Sequence, residues 1–192
     1  MTDKISVPRA YHLRNKNGIE MTVTDFGARV ITLKIPDNKG NFDDVVLGHD
    51  TPQDYIHGHP HFGALIGRYA NRISKGNLMI DGRRYQLPLN HGHHHLHGGN
   101  GFQNRYWKVT PLTMQGNEAL TCEYESPDGE DGYPGMVSAR VTFILSNDDE
   151  WIIEYSAVTD APTIVNLTQH NFYNLSGEGN PTILEHELLI NA

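Results

Sequence analysis

The stretch "MVSARVTFILSNDDEWIIEYSAVT", Met136 to Thr159, decides the fold. Val137, Ala139, Val141, Phe143 and Leu145 recur at every second position, the period of a strand with one buried face. The polar "NDDE" behind them is a turn, and "WIIEYSAVT" resumes the apolar run, so the stretch predicts a β-hairpin. Outward from it the same pattern returns. "GIEMTVTDFGARVITLKIP", Gly18 to Pro36, predicts two strands bent near Gly27. "NLMIDGRRYQLPL" carries Asp81-Gly82, a dipeptide that takes the positive φ angles of a tight hairpin turn. "TILEHELLI", Thr182 to Ile190, alternates less clearly but is strand-like and apolar. No segment longer than ten residues has helical spacing. The 19 glycines and 10 prolines fall between these runs, as many short strands require. The expectation is an antiparallel sandwich or barrel, one domain over residues 1–192, with no repeat or linker.

Composition narrows the function classes. A chain of 192 residues with 38% hydrophobic content can bury a core of its own. Its formal charge of -8, from 15 basic and 23 acidic residues, would repel a polyphosphate backbone, which argues against nucleic acid as a partner. No apolar run approaches the roughly 20 residues that cross a bilayer, so no membrane role is expected. The single cysteine, Cys122, cannot form an internal disulfide, and no signal-like segment opens the chain; a reducing cytoplasm is the expected location. Neutral, small polar ligands suit this charge balance best.

Three constellations can carry chemistry. "NHGHHHLHGG", Asn90 to Gly99, holds five of the twelve histidines. On an extended strand His93, His95 and His97 would share a face, as a cupin-like metal site requires, yet no carboxylate or paired cysteine stands near them and the flanking glycines favour a loop. In "GRYANRISKG", Arg68 and Arg72 are four apart; one is read as solvated and one as a structural salt bridge, while Asn71 and Arg72 offer donors and an amide oxygen to a polyhydroxylated ligand. In "NLTQHNFYNLSG", His170 can hold and deliver a proton near neutral pH, with Phe172 or Tyr173 as a flat wall against the C–H face of a sugar. No G-x-S-x-G elbow, G-x-G-x-x-G or P-loop pattern occurs.

Taken in order, "TDFGARVITLKIPD", "VVLGHD", "FGALIGRYANRISKG", "LHGG", "GFQNRYW", "SPDGEDGYPG" and "VNLTQHNFYNLSG" resemble the aldose 1-epimerases, the galactose mutarotase family. The resemblance implies an all-β antiparallel supersandwich. It also implies interconversion of the α and β anomers of aldohexoses such as galactose and glucose, with no metal or organic cofactor. Carried onto this chain, it makes His170 the general acid, His97 the histidine that assists at the ring oxygen, and Asn71 and Arg72 the substrate-binding pair. Phe172 stands where the family commonly has a tyrosine, and His61 where it often has an aromatic residue. The family's general-base glutamate lies in a segment resembling "LETQ", together with a substrate-binding aspartate, and neither has a match here. Glu178, Glu185 and Glu187 sit in no matching motif and are read as solvated charges. The sandwich is therefore expected to be incomplete at its C-terminal end. The chain alone is expected to be weakly active or inactive, and either self-associating or completed by a second polypeptide. His91, His93, His94 and His95 are expected to be loop residues without chemistry. The rival readings are a non-catalytic sugar-binding protein of the same fold and the metalloenzyme centred on His93, His95 and His97.

Overall fold

The computed structural model describes residues 7–57, 61–180 and 182–191. Two four-stranded antiparallel sheets dominate it. The first follows chain order: β1 (Ala10–Arg14), β2 (Glu20–Thr24), β3 (Arg29–Pro36) and β4 (Phe42–Asp44). Between β2 and β3 the register shifts at Thr22/Val23, next to the bend anticipated near Gly27. Gly27 has φ +75°, and a Cβ there would lie 2.4 Å from the Gln103 carbonyl oxygen, so the bend requires glycine.

Three two-stranded ribbons follow from the middle of the chain. They pair β5 (Ala64–Ile66) with a late strand, β6 (Arg72–Ser74) with β9 (His94–Leu96), and β7 (Asn77–Ile80) with β8 (Arg83–Gln86). In the β7–β8 hairpin, Asp81 and Gly82 have φ +49° and +76°, the signs that the "DG" dipeptide predicts for a type I′ turn. The second large sheet orders β10 (Lys108–Met114), β11 (Asn117–Ser126), β12 (Val137–Leu145) and β13 (Trp151–Thr159). Last comes β14 (Thr168–His170), the partner of β5. Only three short 3₁₀ turns interrupt this all-β pattern among the described residues, and no helix there is long and apolar enough to cross a membrane.

The alternation in β12 is fulfilled: Val137, Ala139, Val141, Phe143 and Leu145 are all buried. They meet Leu13, Met21, Val23, Val30 and Leu33 from the first sheet in one continuous apolar cluster, so the two sheets pack face to face. Cys122 lies inside this cluster, where burial pushes its thiol up to about 12 and leaves it unreactive. β13, the partner of β12, differs, being largely exposed along its length, with Val158 69% exposed. The strand-like run at Thr182 to Ile190 is irregular instead: Leu184, Leu188 and Leu189 stand almost fully exposed, because a strand needs a neighbouring ladder and none runs beside this segment among the described residues.

Candidate functional site

The site grows from a backbone framework. β14 pairs with β5 so that His170 lies opposite Ala64, and Gly63 N–H donates to the His170 carbonyl at 3.1 Å. The turn before β5, His61 to Gly63, is fastened from two further sides. Arg29 donates to the Phe62 carbonyl at 2.9 Å, and Gln169 donates through its side chain to the Gly63 carbonyl. Gly63 has φ +58°, and a Cβ there would fall 1.8 Å from the Val30 carbonyl oxygen, so the turn is pressed directly on β3.

From the other side β6 and β9 bring Asn71, Arg72 and His97. Asn71 and His97 are locked to each other: the His97 N–H donates to the Asn71 carbonyl at 3.0 Å, and the Asn71 N–H donates to His97 Nδ1 at 3.0 Å. The second bond fixes the tautomer. An Nδ1 that accepts carries no proton, so neutral His97 bears its N–H on Nε2, the nitrogen free to donate to a ligand. Burial first, then the neighbouring His170, Arg72 and His91, hold the His97 pKa below its ordinary value. Arg72 and Asn71 are exposed, and Arg72 donates to the Asn71 amide oxygen at 3.3 Å.

These two halves meet ring to ring. His97 and His170 lie 5.2 Å apart and nearly perpendicular; Phe172 lies 5.0 Å from His170, tilted by 32°. All five residues singled out by sequence are thus arranged from two adjoining ribbons: two imidazoles and an aromatic ring in contact, with Asn71 bonded to His97 and Arg72 bonded to Asn71. Such a set can grip hydroxyls, donate from a neutral imidazole and transfer a proton from a second one.

The histidine cluster reads differently from its sequence. β9 ends at Leu96, and His97 has φ +53°, so His93, His95 and His97 do not share a strand face. Nor is His95 a loop residue. It is fully buried, donating from Nδ1 to the Pro88 carbonyl at 2.7 Å and accepting at Nε2 from the Tyr133 hydroxyl at 2.7 Å. With both ring nitrogens engaged it is a structural histidine, bridging Pro88 and Tyr133 from a strand where a loop residue was expected. Burial lowers its pKa. His94 also belongs to β9, while His91 and His93 remain exposed.

Arg68 corrects a second expectation. It is 2% exposed and makes no salt bridge among the described residues. Instead its fork donates to Ser126 Oγ and O, Pro127 O, Pro134 O and Gly135 O, all between 2.7 and 3.1 Å. "SPDGEDGYPG" is folded around this guanidinium. Glu130, inside the same loop, is raised by burial but more than compensated by bonds from Ser126, Arg105 and Tyr124, so its carboxylate sits below the usual range. Sequence reading also missed Arg29, fully buried between Phe26 and Tyr55 and donating to the Phe62 and Gln103 carbonyls. The available signal was an arginine inside an otherwise apolar inward run, "GARVITL". Of the acids near His170 in sequence, Glu178 accepts from the Gly48 N–H at 2.8 Å, and Glu187 is exposed.

Comparison with known proteins places this arrangement in context. The family model described as aldose 1-epimerase matches residues 9–192. Galactose mutarotase of Sus scrofa is 39% identical over 175 residues, covering 91% of this chain and 50% of that protein. Aldose 1-epimerase of Haemophilus influenzae is 36% identical over 186 residues, covering 94% and 52%. The crystal structure of a GalM/aldose epimerase homologue from C. elegans superposes with a TM-score of 0.82 at 34% identity, covering 89% of this chain and 52% of that one. The chain spans about half the length of the curated relatives it matches.

Proposed function

The chain belongs to the aldose 1-epimerase family, and on that premise we propose that it carries the acid and sugar-gripping part of a mutarotase site, acting on a free aldohexose such as galactose or glucose. The observation that supports this reading is the contact of two imidazoles whose ring centroids lie 5.2 Å apart, one of them with Nδ1 occupied. His97, its Nδ1 occupied by the Asn71 N–H, stays neutral and donates from Nε2 toward the ring oxygen. His170 is the general acid that protonates that oxygen. Asn71 and Arg72 bind hydroxyls, and Phe172 lies against the sugar's C–H face.

The reaction balances as follows. The acid adds a proton to the ring oxygen while a base removes one from the C1 hydroxyl; the C1–ring oxygen bond breaks and C1 becomes an aldehyde. Rotation about the C1–C2 bond and reclosure give the other anomer. These 192 residues contain no "LETQ"-like segment to supply the base, and Glu178 is engaged with Gly48. That favours a second reading, in which this chain by itself binds the sugar without accelerating its anomerisation. Polarimetry of freshly dissolved α-galactose tests the first reading: any acceleration over buffer disappears in His170→Ala. Acceleration that survives in His170→Ala removes His170 from the acid role. Calorimetric heat of galactose binding without faster mutarotation identifies the second.

A further inference from the structure

The ring contacts around His170 include one that the proposed roles do not use. His61 lies 5.3 Å from His170 with only 25° between the ring planes, and 5.0 Å from His97 at 71°. Three imidazoles thus form a closed triangle, with Phe172 as a fourth ring against His170. The placement of His61 follows from the backbone rather than from a mobile surface loop. Its carbonyl accepts from the Ala64 N–H at 3.2 Å, and Gly63, two residues on, donates to the carbonyl of His170 itself. The turn that bears His61 is therefore tied by backbone hydrogen bonds to the strand that bears His170, and Arg29 donates to the Phe62 carbonyl.

We propose that His61 is a positioning residue for His170, stacking on its imidazole so that the ring plane, and with it the direction of proton transfer, is set before a sugar arrives. An imidazole N–H lies in the plane of its ring, so the plane decides which ligand atom can receive the proton. Fixing it in advance removes a rotational search from the reacting complex. The perpendicular His97 contact and the tilted Phe172 ring border the same imidazole from other directions, but His61 is the neighbour stacked on its face, where it resists rotation out of plane. Phe172 is 36% exposed, whereas His61 is less exposed and clamped through Gly63.

This inference rests on the proposed role of His170, and two variants test it separately from that role. His61→Phe keeps a flat ring on His170; His61→Ala removes it. In histidine-selective NMR without sugar, His61→Ala is expected to shift and broaden the ring signals of His170, while His61→Phe leaves them sharp. With galactose, kcat by polarimetry is expected to fall roughly tenfold or more in His61→Ala with KM little changed, and to be largely restored in His61→Phe. His170 ring signals that stay sharp and unmoved in His61→Ala would overturn the inference, whether or not the chain has measurable activity. So would equal losses of kcat in both variants, which would point to His61 as a proton carrier or direct ligand. A galactose titration that perturbs none of these signals counts against the sugar site, not against the stack.

Discussion

His95 and His97 stand two residues apart and both have pKa values held below the ordinary 6.5, chiefly by burial. Above about pH 6.5 each is neutral whether the chain is folded or unfolded, so stability there does not depend on them. As pH falls through 6.5 toward the depressed folded values, the unfolded chain takes up protons that the folded chain refuses, and stability drops. Thermal denaturation is expected to show a midpoint that decreases from pH 7 to pH 5, with a shallower slope in His95→Gln; a midpoint flat across that range would contradict the buried, doubly bonded His95. Glu130, held below the usual 4.5, adds its loss only at lower pH. Arg68 gives a second residue-scale expectation. Arg68→Met removes the donor to four carbonyl oxygens and a hydroxyl at a site 2% exposed, and urea unfolding should register a loss of about 3 kcal/mol or more. Motif reading marked Arg68 only as one of a pair, because sequence shows an arginine's charge but not whether its partners are distant carbonyls. His170 and His97 were legible as residues; their contact was not, since more than seventy positions separate them.

At the scale of elements, local chemistry was read well wherever a strand carries its own instructions. The β12–β13 hairpin and the Asp81-Gly82 turn follow from period-two burial and from residues that accept positive φ. Phe143→Ala, at the centre of the shared core, is expected to cost about 3–5 kcal/mol in denaturant unfolding. What sequence could not give was the exposure of β13 or the irregular course of Thr182 to Ile190, because apolar content states a preference for burial and not whether a covering layer exists. The turn after β9 carries more consequence for the site. His97, Gly98 and Gly99 all have positive φ, and a Cβ on Gly98 would lie 1.9 Å from the Gly67 carbonyl oxygen. Gly98→Ala is therefore expected to cost about 2 kcal/mol and to weaken galactose binding by displacing His97. Unchanged calorimetric affinity in that variant would mean His97 is not held by this turn.

For the whole molecule, the two sheets share one core, while β13 and the segment from Thr182 to Ile190 leave large apolar side chains in solvent, among them Val158, Leu184, Leu188 and Leu189. Such surface favours association. Sedimentation velocity is expected to show concentration-dependent oligomers that diminish in Val158→Lys, a substitution that should change folding stability by no more than about 0.5 kcal/mol; a monomer at every concentration would contradict it. The proposed site is built on β5, β6, β9 and β14, and the central claim is that His97 and His170 face one sugar. A galactose titration followed through the imidazole resonances tests that most directly. The account predicts that the signals of His97 and His170 move together, saturably, and that the response is lost in Arg72→Ala; signals that stay fixed at saturating galactose, or a His170 that responds while His97 does not, would contradict it.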